Sequence, residues 1–86
     1  MVNDLVALRR ALIKLRQHPG RIGSNADGRP VFDVVLRSGD RLRRPASCRA
    51  TLRETGLHLD VETDWLQFEQ QPDSVAAALD WLSRWL

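Results

Sequence analysis

This chain has a single cysteine, no long apolar run and no N-terminal pattern of a secretory signal, and each of these features excludes a class of protein. The 86 residues include a single cysteine, Cys48, which excludes an internal disulfide and a multi-cysteine zinc site. The longest apolar runs span only a few residues, such as 75–79, so none is long enough to cross a membrane as a helix. The N-terminal residues carry Asp4 and a helical pattern instead of a basic segment followed by a solid apolar block. We therefore expect no secretory signal and a cytoplasmic location.

What is present suffices for one small folded domain. Hydrophobic residues make up 43% of the chain and charged residues 28%, both ordinary values for a soluble globular protein. A domain of this size supports a single two-layer core and leaves little room for a deep substrate cavity. We expect residues 1–86 to form a single compact domain.

The positive and negative charges are unevenly divided along the chain. Residues 1–53 hold eleven arginines and one lysine against four aspartates, a net charge of +8, whereas residues 54–86 hold one arginine against seven acids, a net charge of −6. Such a split is typical either of a nucleic-acid-binding or partner-binding surface, or of two halves that neutralise each other within one fold. We favour mutual neutralisation.

Residues 3–17 are predicted to form a helix. Asn3 is a good N-cap, and the apolar stripe consists of Leu5, Leu8, Leu12 and Leu15. His18, Pro19 and Gly20 end the helix. A second apolar ridge, formed by Val2, Val6 and Ile13, indicates a further contact with another helix or with a partner chain. Residues 19–30 are rich in glycine, proline and asparagine, and they are predicted to form a flexible loop.

The centre of the chain alternates between apolar and polar residues, as strands of a half-buried sheet do. We predict strands at 31–37, 41–44, 47–53 and 57–62, with a further strand at 65–69. Phe32, Val34 and Leu36 face inward, as do Leu66 and Phe68 of the last strand, which leaves Trp65 outward. Opposite charges favour a register in which Arg49 faces Glu62 and Thr51 faces Asp60.

Pro72 and Asp73 open a final helix, which carries Trp81 and Trp85 along one edge of its apolar arc. The predicted fold class is therefore α+β with two layers: an N-terminal helix, an antiparallel sheet of four to five strands in meander order, and a C-terminal helix. Both helices are expected on one face of the sheet. The predicted core residues are Leu8, Leu12, Val34, Leu36, Leu52, Leu59, Phe68, Leu79 and Leu82.

No group of residues has the spacing of a catalytic or metal site. Ser47, His58 and Asp60 include the residue types of a nucleophilic triad, but no strand–turn–helix elbow or oxyanion loop accompanies them. His58, Asp60 and Glu62 share one strand face, a pattern more typical of a hydrated surface than of a metal site. Cys48 alternates with inward residues, which favours a buried, inert thiol. We expect a non-enzymatic protein without a cofactor or metal.

The arginines and tryptophans are the strongest indications of binding. In a meander, Arg37, Arg41, Arg43, Arg49 and Arg53 would project from one sheet face, where guanidinium groups suit carboxylate or phosphate recognition. The same face would turn acidic at Asp60, Glu62 and Glu69, which disfavours a phosphate backbone. Three tryptophans exceed what so small a core needs, and tryptophan is favoured at interfaces. The predicted partner-binding residues are Arg37, Arg41, Arg43, Arg49, Arg53, Trp65, Trp81 and Trp85.

Two functions of different class fit these features. The first is a small protein-binding module, of the inhibitor, immunity-protein, chaperone or adaptor type, which docks through a mixed-charge sheet face and a tryptophan-containing edge. Its partner would be another protein or a second copy of the chain. The alternative is a nucleic-acid-binding accessory protein that uses the arginine-rich strands, supported by the basic half and opposed by the acidic half. We favour the protein-binding module.

Overall fold

The computed structural model of the chain describes residues 2–37, 45–84 and 86. An N-terminal helix is followed by a five-stranded antiparallel sheet and a C-terminal helix, which confirms the predicted fold class. The strands follow one another in sheet order, as in a meander. Among the described residues, each strand is therefore hydrogen-bonded only to the strands that directly precede and follow it in the chain.

Helix α1 spans Val2–Lys14 and buries one stripe of leucines completely. Leu5, Leu8 and Leu12 contribute to the core, as predicted. The helix begins one residue earlier than expected, so Asn3 lies in its first turn and is not the N-cap. It also ends three residues early, because Arg16 takes a left-handed conformation with φ of 63°. Leu15 consequently leaves the stripe and is 46% exposed.

The sheet consists of β1 (Arg21–Ser24), β2 (Pro30–Leu36), β3 (Ala46–Arg53), β4 (Gly56–Glu62) and β5 (Gln67–Gln70). Alternate residues of each strand point to opposite faces. The inner face carries apolar residues that are aligned across the strands, such as Phe32 beside Ala50 and Leu59. The inner face packs with both helices in a single hydrophobic cluster. The opposite side is called the outer face below.

The structure corrects the prediction for residues 19–30. Arg21–Ser24 form strand β1 and pair with β2, so the segment is not one continuous loop. Residues 25–29 form the loop between β1 and β2, in which the Asn25 side-chain Oδ1 accepts hydrogen bonds from the backbone N–H groups of Asp27 (3.0 Å) and Arg29 (2.9 Å). The asparagine thus closes a hairpin, which the sequence pattern alone did not distinguish from a longer loop.

The pairing of β2 and β3 also differs from expectation. β2 pairs directly with β3, from Val31 beside Thr51 to Leu36 beside Ala46. No strand therefore separates them, and the predicted strand 41–44 lies outside the described residues. The predicted register of the β3–β4 hairpin was wrong by two residues: Arg49 faces Asp60, not Glu62, and Thr51 faces His58. The turn is tighter than assumed, because Arg53 already pairs with Gly56.

Helix α2 spans Val75–Ser83, and its N-cap is Ser74, whose Oγ accepts a hydrogen bond from the backbone N–H of Ala77 (3.1 Å). The helix therefore begins later than the predicted start at Pro72 and Asp73. Ala78 and Leu82 are fully buried. Leu66 was predicted to face inward and is instead 56% exposed, because it precedes β5 and belongs to the β4–β5 turn.

The predicted core is confirmed in its centre and only half-buried at its margins. Six of the nine residues are buried: Leu8, Leu12, Val34, Leu36, Leu59 and Leu82. The other three are partly buried and pack against the same cluster: Leu52, Phe68 and Leu79. Each of the three lies near the end of its strand or at the rim of its helix, where the two layers no longer cover it fully.

Candidate docking surface

Neither of the two helices that the structure describes lies on the outer face of the sheet, since both share the core on the inner face. It contains a shallow depression of about 780 Å³, which β2, β3 and β4 line together with the segment that leads into β1. Within it Val35 is 52% exposed, and Ser47 and Glu62 are also exposed. One cross-strand row of this face is not accessible to a partner, because Val31 and Thr51 are buried. The rest presents a surface for a partner.

Charged side chains cross the outer face in a single row. The strand register aligns one residue from each strand, in the order Arg21, Asp33, Arg49, Asp60 and Glu69. Basic and acidic groups therefore alternate over the first four strands, and two acids end the row. Only the acidic end of the predicted change from basic to acidic is present in this row, because Asp33 lies between the two arginines. The row also includes Arg21, which had been assigned to a loop.

Arg49 lies at the middle of the row and is already engaged by its neighbour. Its Nε donates to Asp33 Oδ1 at 2.7 Å and its Nη2 to Asp33 Oδ2 at 3.2 Å, a two-point contact. The hydrogen bond to Asp33, followed by the attraction of that carboxylate, raises the pKa of Arg49 above its usual value. Both side chains are about half exposed, so the pair fixes geometry more than it stabilises the fold.

The acidic side of the row has no such two-point contact, although Asp60 lies opposite Arg49 and its charge adds to the rise in the pKa of Arg49. Asp60 on β4 lies directly opposite Glu69 on β5, and Glu62 is the next residue of β4 on the same face. Within the described parts of the chain, no ion pair within 4.0 Å joins any of these three carboxylates to a basic side chain. Like charges directly opposite each other on adjacent strands destabilise a sheet. This end of the face is therefore electrostatically strained.

Of the five arginines predicted to share one face, the three that the structure describes do not lie close together. Arg49 and Arg53 both project from the outer side of β3, but Arg53 is at one end of the strand. Arg37 follows β2 at the opposite end of the sheet, roughly 26 Å away along the strands. There its backbone N–H donates to Gln17 Oε1 (2.7 Å) and its Nε to His18 Nε2 (3.4 Å). Arg41 and Arg43 lie outside the described residues.

Trp65 and Trp81 occupy different environments. Trp65 is 77% exposed in the turn between β4 and β5. Trp81 is half-buried and packs edge-on against Phe68, with ring centroids 6.3 Å apart and an interplanar angle of 71°. This packing accounts for an aromatic residue at position 81 without any contact to a partner protein. Trp85 lies outside the part of the chain whose side chains are described.

The residues considered for catalysis do not form a site. Ser47 pairs with Glu62 and His58 pairs with Thr51, which separates the serine from the histidine by roughly 13 Å along the strand. His58 Nε2 instead lies 2.9 Å from Thr55 Oγ1. Among residues 2–37, 45–84 and 86, no three or more histidine, cysteine, aspartate or glutamate side chains are grouped so that they could hold a metal ion.

Cys48 is buried, as predicted, with 2% of its surface exposed. Burial raises the pKa of its thiol to about 12, and the negative charges of Asp60 and Asp33 contribute in the same direction. A thiol in this state is neutral at physiological pH and is a poor nucleophile.

Sequence reasoning missed two features of the surface: Arg21 as a member of the charged row, and the contact between Arg49 and Asp33. The alternation of Arg21, Ile22 and Gly23 is too short to indicate a strand, so no signal identified the first. The contact between Arg49 and Asp33 depends on the direct pairing of β2 with β3, and the prediction had placed another strand between them. No helix in the described part of the chain is long and apolar enough to span a membrane.

Compared with known proteins, the chain matches no family model, no curated protein and no solved structure.

Proposed function

We propose that this protein is a small, non-enzymatic protein-binding module that docks through the outer face of its sheet. The observation that carries the proposal is the outer face itself, which neither described helix covers: a five-stranded sheet whose charged row and shallow depression lie opposite the helices. A sheet face with interleaved charges and some exposed apolar surface is the composition of a transient interface more than of a substrate pocket.

The electrostatics of the face support a protein partner over a nucleic acid. Arg49 is the basic residue at its centre, and Asp33 already neutralises it through two hydrogen bonds. A phosphate backbone that crossed the sheet would then meet Asp60, Glu62 and Glu69. The arginine-rich half of the sequence remains the feature that favours the alternative, a nucleic-acid-binding accessory protein.

The test blocks the outer face with a bulky side chain. Ser47 is exposed within the depression, and Ser47→Tyr would fill part of it; Ala76 is exposed on α2, and Ala76→Tyr is the matched control. Proteins crosslinked to each variant in the native cell are identified by mass spectrometry. We expect the unmodified chain and the Ala76→Tyr variant to capture the same partner, and Ser47→Tyr to lose it.

A gel-shift titration distinguishes nucleic-acid binding from protein binding. Retardation of an oligonucleotide that weakens steeply between low and high salt would support nucleic-acid binding and contradict the proposal. Capture of the same partner by both tyrosine variants would also contradict it, because the docking surface would then lie elsewhere.

A further inference from the structure

The outer face is asymmetric in the charge it offers to a partner. On its β1–β3 side Arg49 is satisfied within the molecule by Asp33, whereas three carboxylates stand together on its β4–β5 side. Asp60 lies opposite Arg49, but no ion pair within 4.0 Å joins any of the three to a basic side chain of the described residues. A partner therefore gains most from the carboxylate side. Cationic side chains would relieve the repulsion between Asp60 and Glu69 as well as form new ion pairs.

We propose, building on the proposed function, that the occupant of this face is a basic protein segment whose arginine or lysine side chains contact Asp60, Glu62 and Glu69. Asp60 and Glu62 are two residues apart on one strand, about 7 Å, and Glu69 lies one strand away, about 5 Å. Cationic residues at alternate positions of an extended segment have matching spacing.

Apolar surface beside the carboxylates suits the same occupant. Val35 is 52% exposed in the depression, and Trp65 and Leu66 are 77% and 56% exposed in the turn that leads into β5. The long methylene stems of arginine and lysine cover such surface while their charged ends reach carboxylates. Guanidinium groups also stack favourably on an indole ring. A phosphate ligand would gain none of these contacts.

The turn that carries the two exposed apolar residues is held in place from within. The Thr63 side-chain Oγ1 accepts hydrogen bonds from the backbone N–H groups of Trp65 (3.2 Å) and Leu66 (3.0 Å). The Thr63 backbone N–H donates to the Leu66 carbonyl oxygen at 2.8 Å. Because its backbone is organised before binding, the turn loses less conformational freedom when a partner docks.

The experiment uses the whole chain and two synthetic peptides of equal length, one alternating arginine with serine and the other alternating glutamate with serine. Binding is followed by amide chemical shifts. The chain has a net charge of +2, so general electrostatic attraction favours the acidic peptide. We expect the basic peptide to bind instead, with its largest shifts at β4, β5 and the turn between them.

A triple variant tests the carboxylates. Asp60→Asn, Glu62→Gln and Glu69→Gln together should weaken binding of the basic peptide by roughly tenfold, the effect of losing three exposed ion pairs. The control variant removes the same charge elsewhere: Asp27→Asn, Glu54→Gln and Asp73→Asn, all exposed residues distant from the row. Its affinity should stay within about twofold of the parent.

Three results would overturn the inference: preference for the acidic peptide, equal losses in both triple variants, or displacement of the basic peptide by an oligonucleotide that binds the same strands. The proposed function is tested separately. If the native partner is lost with Ser47→Tyr but retained by the triple-neutral variant, the outer face remains the docking surface and only the basic occupant is wrong.

Discussion

The buried thiol of Cys48 makes the stability of the fold depend on pH. Burial raises the pKa of its thiol from the usual 9.0 to about 12, with Asp60 and Asp33 adding to the shift. Between those two values the unfolded chain releases a proton that the folded chain keeps. The folded state then binds more protons, so its stability is complete below about pH 9 and falls as the pH rises toward 12.

We therefore expect the free energy of unfolding to decrease between about pH 9 and 12, by up to about 1.4 kcal/mol per pH unit. The sequence contains no tyrosine and one lysine, so few other side chains titrate in this range. Urea titrations at several pH values measure the slope. Cys48→Ala is the control, and a slope that persists in this variant would show that another group is responsible.

Gly20 is required for a close approach between the chain entering β1 and strand β2. Its φ is +61°, and a Cβ atom there would lie 2.4 Å from the Asp33 carbonyl oxygen, 2.7 Å from Phe32 Cε1 and 2.8 Å from Val34 Cβ. Two of these neighbours cannot yield without moving the backbone of β2. Nothing beyond the Pro19–Gly20 break in the helix pattern signalled this role.

Gly20→Ala should destabilise the fold by about 2 kcal/mol or more, because it combines an unfavourable φ with steric overlap. Gly23→Ala is the matched control, since a Cβ there meets nothing within 4 Å. Thermal unfolding of both variants checks the difference. Equal melting temperatures would mean that β1 does not depend on this contact.

At the scale of elements, hydrophobic periodicity located the strands that bury one face. It did not identify the short strand β1 or the register of the β3–β4 hairpin. Strands β3 and β4 carry strictly alternating apolar residues, and β2 carries an apolar residue at each inward position, so β2 to β4 could be located from the sequence. Strand β1 has four residues and one half-buried side chain, Ile22, too few to establish a period. The β3–β4 register depends on a turn of two residues, Glu54 and Thr55, which the charge pattern alone could not fix.

The opposed acids of β4 and β5 yield a prediction about the same elements. Glu69→Lys replaces a repulsion with Asp60 by an attraction, and it should stabilise the protein by roughly 0.2–1 kcal/mol. Glu69→Gln, which only removes the repulsion, should give a smaller gain. Denaturation at low and high salt measures both, and the gains should shrink as salt screens the charges. A loss of stability at low salt would contradict the proposed strain.

If Glu69→Lys stabilises the fold and also weakens binding of the basic peptide, one residue would link the two effects. Natural chains keep destabilising groups where function uses them. The strain between Asp60 and Glu69 would then be a property of the docking surface and not a defect of the sheet.

At the scale of the whole molecule, the charge division of the sequence predicted part of the surface. Three of the seven acids of residues 54–86, Asp60, Glu62 and Glu69, lie together on β4 and β5, because a meander keeps consecutive strands adjacent in space. The described arginines, in contrast, do not form a basic cluster. Arg37 and Arg53 lie at opposite ends of the sheet, and Arg49 is paired with Asp33, a contact between residues 16 positions apart. Such pairing depends on which strands are neighbours, and composition does not specify it.

Trp65 gives the last prediction, which separates association from folding. Its side chain is 77% exposed, and the hydrogen bonds that shape its turn come from Thr63 and the backbone. Trp65→Ser should therefore lower the free energy of unfolding much less than the loss of a packed aromatic side chain does. It should at the same time weaken association with the partner, because an exposed tryptophan is a typical interface anchor.

Trp81→Ser is the comparison, since Trp81 packs against Phe68 and the core. Its loss should cost about 3 kcal/mol or more of stability, as removal of a packed aromatic side chain does. Chemical denaturation and binding of the basic peptide are measured for both variants. If Trp65→Ser unfolds the protein, the side chain is part of the core. If it leaves stability and every association unchanged, the interface does not include the turn between β4 and β5, and the carboxylates of the outer face must act without it.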